Sequence, residues 1–480
     1  MPKKRKIAIV GGGVSGVTAA LYLGRMGLDI TLFEEKRTLV DGPPWCHLHA
    51  GGNLYREISD EQCATLLKQS IDFAKFYPYV VDYRPTVLAL PLDDTGMVEQ
   101  LMPRLEYLKN EYRNLVEKDG TNEVLGKWQN YYKLYDRTKM EALKTKQIVS
   151  MPDSMDEWMI PVAKHLNLDA IQYPLIMVQE YGLNMFRLAA GSMFSLEKFS
   201  NIKIQIQSKV LKIKQEGKQW EVSYQTASGT TQSEVFDYLI NASGFRSGEI
   251  DDMVDVMTQR MVEFKASYIS KCDRFADISF PEIIFHGERG TPKGMAQFTP
   301  YPGGYFQLHG MTKEITLYEN GLVANSSLSA QPKLDQSFLK KIDCGWEHDE
   351  IEVRTQKAID HVARFIPSFS YATVGSKPLY GAQQIRGDDP SLRVAEVSFP
   401  KEGYARCEIV KVSSSIDMAK AIHADLQHLG IISKDHARLL PQESVVSLNE
   451  EKIKTSAQNI AILRAYPGSL SKRNRQIAIS

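Results

Sequence analysis

The N-terminal stretch constrains this chain more than any other part of it. Residues 7–34 read IAIVGGGVSGVTAALYLGRMGLDITLFE. An apolar strand (Ile7, Ile9, Val10) runs into Gly11-x-Gly13-x-x-Gly16. A helical stretch follows, then a second apolar strand from Ile30 to Phe33 that ends at Glu34. Strand, glycine turn, helix and strand in this order predict a βαβ unit built to hold a dinucleotide.

Each glycine has its own task. Gly11 permits the tight turn out of the strand, Gly13 lets backbone approach a diphosphate, and Gly16 lets helix and strand pack closely. The diphosphate then rests on free N–H groups at the positive end of the helix, beside Val14 and Ser15. Glu34 lies 18 residues after Gly16. An acid there accepts ribose hydroxyls and repels a 2′-phosphate, which disfavours NADP; Glu35 adjoins it. Ala20 and Gly27 add small residues where helix and sheet meet.

A length of 480 residues suits two domains. Basic and acidic residues balance at 58 each, which argues against nucleic acid or an anionic membrane as the main partner. Lys3, Lys4, Arg5 and Lys6 precede only a short strand, so they read as a solvated start rather than a secretory signal. No segment approaches the roughly 18 apolar residues of a transmembrane helix. The five cysteines (Cys46, Cys63, Cys272, Cys344, Cys407) show no zinc spacing. Free thiols in a reducing cytoplasm are the expectation, and no metal site is expected.

Further on, Ser59-x-x-Gln62 forms a capping box before apolar residues at helical spacing. A second amphipathic helix is marked by Val98, Leu101, Leu105, Leu108, Tyr112 and Leu115, and a third spans 183–196. Strands are expected at 202–206, 210–214 and 220–225, forming a small β element, and at 236–242. The last of these ends in Ala242-Ser243-Gly244, and such a strand returns beside the first in flavoproteins. Residues 251–373 alternate like a mixed sheet over a ligand. Residues 404–412 read as a strand, and Ser414-x-x-Asp417 as a capping box for a helix closed by Gly430.

With these residues in place, the sequence resembles the FAD-dependent oxidoreductases of the D-amino-acid oxidase, glycine oxidase and sarcosine oxidase group. Gly11, Gly13, Gly16, Ala20, Gly27 and Glu34 carry the resemblance. Glu180-Tyr181-Gly182 with Asn184 and Arg187, the strand holding Val210, and Asn241-Ala242-Ser243-Gly244 support it. It implies an α/β fold, with a Rossmann-like FAD-binding domain and an interleaved mixed α+β substrate domain. The FAD domain would comprise 1–90, 178–250 and 374–480, and the cap 91–177 and 251–373. The resemblance further implies that Val210 meets adenine through its backbone and that His49, Gly51 and Gly52 lie near the flavin. The segment from Arg406 to Ser415, which holds Val412 and Ser413, would pass the pyrimidine end of the flavin. The group's glycine-rich turn before the last helix is replaced here by CEIVKVSSS.

Flavin chemistry asks the protein to place a substrate C–H and manage one proton. A substrate carboxylate suits an arginine, which brings forward Arg386, Arg393 and Arg406. His309 is the candidate proton acceptor. His47, His49 and Cys407 are candidates for a covalent flavin link. The reading is a hydride-removing oxidoreductase for a small, carboxylate-bearing substrate, with oxygen or another electron acceptor. Two alternatives stand beside it. A flavin monooxygenase or halogenase would carry a Gly-Asp motif such as Gly387-Asp388, which here sits in a turn before Pro390. A non-catalytic flavin-binding scaffold would explain the missing glycine turn.

Overall fold

The computed structural model describes residues 5–42, 58–433 and 448–478. Two sheets organise it. The first has six strands in the order Val397–Lys401, Tyr404–Cys407, Tyr238–Asn241, Lys6–Val10, Asp29–Phe33 and Ile202–Gln205. All pairs are parallel except the outermost, Val397–Lys401 against Tyr404–Cys407. Buried on both faces, its inner strands Lys6–Val10 and Tyr238–Asn241 read as apolar runs rather than alternations. One face packs on helices Val14–Arg25, Asp60–Phe76 and Ser415–His428, through residues such as Val17, Leu21, Leu67, Ile71, Ile416 and Ile422. The other face packs on an antiparallel sheet of Lys209–Glu216, Gln219–Gln225 and Thr231–Phe236, with Phe33, Trp220 and Phe236 at the core.

Three local expectations change. The strand at 202–205 joins the edge of the parallel sheet, and the third strand of the small sheet is Thr231–Phe236. The strand from Tyr404 stops at Cys407, because its next residue, Glu408, turns to Arg406 and Ser398. Ser414 does not cap its helix; its hydroxyl donates to Gln69 Oε1 at 2.7 Å, within the core. Ser59 does cap the helix Asp60–Phe76, accepting from Gln62 N–H. Gly430, at φ +67°, follows the helix Ser415–His428.

The cap is built on a larger sheet. Its order is Leu322–Ala324, Arg260–Lys271, Tyr305–Gly310, Ala296–Tyr301, Glu282–Phe285, Thr86–Ala89, Leu175–Val178 and Tyr132–Tyr135. Leu379–Arg386 also pairs with Arg260–Lys271, placing Lys265 opposite Gly381 and Glu263 opposite Gln383. Thr86–Ala89 and Leu379–Arg386 therefore belong to the cap sheet, although both lie in segments expected in the cofactor domain. Phe275, Phe280, Phe298, Phe306 and Phe369 fill the space between this sheet and helix His348–Ala363.

The C-terminal segment ties the two parts together. Helix Glu450–Leu463 packs on Met185–Leu196. Arg187 and Arg473 both bind Glu450, and the Asn474 and Arg475 N–H groups donate to Asp82 Oδ1. Among the described residues, no helix is long and apolar enough to cross a membrane.

Candidate functional site

The glycine turn closes as its sequence demands. Gly11 takes φ +105°, and a Cβ there would lie 2.4 Å from Ala242 O. A Cβ on Gly16 would sit 1.8 Å from Gly11 O, so the helix seats only on glycine. A Cβ on Gly13 would meet nothing within 4 Å, because it faces the open cleft. Val14 and Ser15 begin the helix behind this turn.

The acid at the end of the second strand is tied to the turn. Glu34 accepts from Gly12 N–H through Oε2 and from Lys36 N–H through Oε1, each at 2.7 Å. Burial raises its pKa above the usual carboxylate value, and these two bonds oppose that rise. Val40 N–H donates to Gly12 O at 2.8 Å, folding the 38–41 loop onto the same turn.

A cleft of about 920 Å³ opens over these groups. Gly11, Gly13, Glu34 and Glu35 line its first wall, with Ala242, Ser243 and Gly244 beside them. Ser243 Oγ donates to Val10 O at 3.1 Å, and Gly244 turns at φ +59°. Ser208 and Val210 line one end. The opposite wall comes from the cap, at Tyr380, Gly381 and Ala382, and from the C-terminal segment, at Arg464 and Tyr466. A bare glycine turn, an acid at the end of the second strand and an open groove past Val210 fit an ADP-containing cofactor such as FAD.

The remaining described sequence candidates do not line this cleft. His47, His49, Gly51 and Gly52 lie outside the described residues. Val412 and Ser413 form a short 3-10 turn against helix Asp60–Phe76, away from the lining of the cleft. Gln383 of the cap donates to Val410 O at 3.0 Å, just before that turn.

Arg406 is a structural ion pair rather than a substrate ligand. It is 1% exposed, and its three nitrogens are used by Asp251 Oδ2 at 2.7 Å, Glu408 Oε1 and Ser398 Oγ. Arg386 lies at the far end of its strand with an exposed side chain beside Glu408 Oε2, at 3.1 Å. Arg393 donates to the carbonyls of Pro390 and Leu392. His309 is buried in the cap sheet opposite Gln297, on the face away from Phe306 and Leu308. Cys407 is buried, and burial raises its thiol pKa far above the ordinary value.

Two groups escaped the sequence reading. The strand Arg260–Lys271 alternates Glu263, Lys265 and Ser267 with Phe264, Ala266 and Tyr268, yet all of these are buried. Lys265 Nζ lies 2.8 Å from Glu263 Oε2, and Arg289 binds Glu263 Oε1. Burial lowers the pKa of Lys265, with Glu263 opposing. Alternating charge inside a fully covered strand is the signal that marks this cluster. The second group, Lys377, Arg464 and Tyr466, left no mark in the sequence, because its members meet only through the fold.

The fold and the cleft thus define a two-domain dinucleotide-binding protein of α/β class. Residues 9–40 match the model of an NAD(P)-binding Rossmann-like domain. No curated protein matches the chain. Among solved structures, the chain is similar to an FAD-complexed glycerol-3-phosphate dehydrogenase from Bacillus halodurans (TM-score 0.55, 13% identity, 97% of this chain and 74% of that one). It is also similar to a glycine oxidase from Geobacillus kaustophilus (0.53, 11%, 93% and 100%). A third is an L-amino acid deaminase from Proteus vulgaris (0.55, 12%, 94% and 97%). At these identities the likeness establishes a shared fold, which takes in both domains.

Proposed function

We propose that this chain is an FAD-dependent oxidoreductase that removes a hydride from a C–N or C–O bond of a small, carboxylate-bearing substrate. The observation that carries the reading is a single cleft of about 920 Å³ running from the glycine turn to the cap sheet. That volume lies at the upper end of ligand sites and suits an extended dinucleotide. Bound flavin supplies the electron-accepting chemistry.

The chain's own residues do the rest. Gly11, Gly13 and the helix from Val14 bind the diphosphate, while Glu34 and Val210 fix the adenosine end. The cap covers the reacting end and excludes water. In the cap sheet, buried Lys265 and partly exposed Arg289 oppose the single carboxylate of Glu263. The surplus positive charge supports an anionic substrate, because a carboxylate would balance it. His309, on the same sheet, is the proton acceptor of the reading. The named relatives of this fold act on amino acids and on glycerol-3-phosphate, which are also small anions. Oxygen or another acceptor completes turnover, and the cytoplasm is the compartment proposed.

The test is the visible absorption spectrum of the purified protein before and after acid precipitation. Flavin bands that move to the supernatant support noncovalent FAD, and bands that stay in the pellet point to a bond at His47, His49 or Cys407. A protein that carries no flavin and takes none up overturns the reading. Bleaching of the bands by an amino acid or hydroxy acid then identifies the substrate class. A flavin reduced only by NAD(P)H would favour the monooxygenase alternative.

A further inference from the structure

The cofactor cleft is closed by a circuit of contacts from the C-terminal segment. Arg464, only partly accessible in the cleft wall, donates to Thr38 Oγ1 at 2.8 Å, Leu39 O at 2.9 Å and Val40 O at 3.0 Å. Its Nε lies 3.0 Å from Asp41 Oδ1. These bonds grip the loop whose Val40 N–H is fastened to Gly12 O. Two residues on, Tyr466 donates from its hydroxyl to Pro378 O at 2.8 Å. Pro378 is preceded by Lys377, whose ammonium sits 4.5 Å from the centre of the Tyr466 ring.

Lys377 is the unsatisfied member of this circuit. It is half-buried, lines the same cleft as Gly11 and Gly13, and forms no ion pair among the described residues. The acid nearest in charge, Asp41, already binds Arg464. A half-buried ammonium that forms no ion pair among the described residues, in the same cleft as a glycine turn at a helix N-terminus, is complementary to a diphosphate.

We infer that Lys377 is a direct ligand of the diphosphate of the bound dinucleotide, reaching it from the cap side. Arg464 is the positioning residue that holds the 38–41 loop against the glycine turn. The inference rests on the dinucleotide reading but does not require that the dinucleotide be FAD. It adds two stretches of chain to the βαβ unit, the Val210 strand and the 242–244 turn at the cofactor site: the segment at Lys377, and the C-terminal segment beyond residue 447.

The experiment titrates the full-length apoprotein calorimetrically with ADP, adenosine and FAD, at low and high salt. Lys377→Gln is expected to weaken ADP and FAD by about tenfold to a hundredfold, the range of one charged hydrogen bond, and to leave adenosine unchanged. The salt dependence of ADP binding should become shallower, and Lys377→Arg should restore both. Arg464→Gln should weaken ADP while keeping the wild-type salt dependence, and Arg464→Lys should recover part of the loss. Equal ADP binding by wild type and Lys377→Gln overturns the assignment of Lys377, as does an equal loss for adenosine. If ADP behaves as expected but FAD does not bind, the flavin reading fails and the diphosphate ligand stands. If neither binds, both fall.

Discussion

The two ends of the cleft are built by different means. The glycine-turn end is made from neighbours in sequence: Gly11 to Gly16, the helix they open, and Glu34 at the end of the next strand. The cap end is made from strangers: Tyr380, Gly381, Arg464 and Tyr466 line the opposite wall only because distant segments of the chain come together. At the first end backbone does the binding and side chains must be absent. At the second, side chains line the wall and backbone serves to aim them. The lesson is that one end fails by steric intrusion and the other by loss of charge.

The largest expected effect follows at the first end. Gly16→Val places its Cβ against Gly11 O, at a position 1.8 Å from it in the present backbone. Helix and strand must part, so the variant should lose both cofactor and cooperative melting. Gly13→Ala is the control, since its Cβ meets nothing within 4 Å. It should melt like wild type as apoprotein and bind FAD more weakly. Thermal melts with and without FAD check both. If the two variants behave alike, the division between packing glycine and cleft glycine is wrong.

Arg406→Met is next. The change leaves Asp251 with Arg260 alone, at 3.4 Å, and Glu408 with only the exposed Arg386, at 3.1 Å. Removing one partner of a buried pair costs about 3–5 kcal/mol, and the remaining arginines place the expected loss at the lower end of that range. Denaturant unfolding should show that loss. A stable variant with a raised KM would instead return Arg406 to the substrate site.

These contrasts explain what was legible beforehand. The βαβ unit could be read because its constraints are local: a turn that admits only glycine, an acid at a fixed distance, apolar runs between. The returning strand Tyr238–Asn241 was legible for the same reason, since it ends in Ala242-Ser243-Gly244. Arg406 misled because its position in the chain suggested the flavin border, whereas its side chain turns into the sheet toward Asp251, a partner 155 residues away. Ser414 misled because a capping signal cannot show that Gln69 competes for the hydroxyl. Lys265 passed unnoticed because only burial of both strand faces turns an ordinary alternation into a charged interior.

The charged cluster of the cap sheet is tested by Lys265→Met. Arg289 remains to pair Glu263, so folding should change by no more than about 1–2 kcal/mol. Affinity for an anionic substrate or a competing carboxylate should fall about tenfold or more, the equivalent of one charge-assisted bond. Flavin absorbance changes on titration with the anion measure it. An unaltered anion affinity would remove the cluster from the substrate site.

The smallest effect separates the two ends by the sign of their pH response. At the glycine-turn end, burial raises the Glu34 pKa above its usual value of 4.5. The folded apoprotein therefore binds more protons there than the unfolded chain, and this contribution weakens as pH rises from 4.5 through the folded value. In the cap, burial lowers the pKa values of His165 and His361 below 6.5. There the unfolded chain binds more protons, so the contribution is complete above pH 6.5 and is lost as pH falls through the folded values. His361 Nε2 lies 2.9 Å from Gly294 O, in the strand connection that precedes Ala296. His361→Gln keeps a donor for that carbonyl, so stability at pH 7.5 should stay within ~1 kcal/mol of wild type. Between pH 6.5 and 5 the variant should lose less stability than wild type, while Glu34→Gln should leave that slope in place. Melting curves across this range decide it. Parallel wild-type and His361→Gln curves would move the acid sensitivity of the cap elsewhere, with His165, beside Phe275 and Phe280, the remaining histidine of the pair to test.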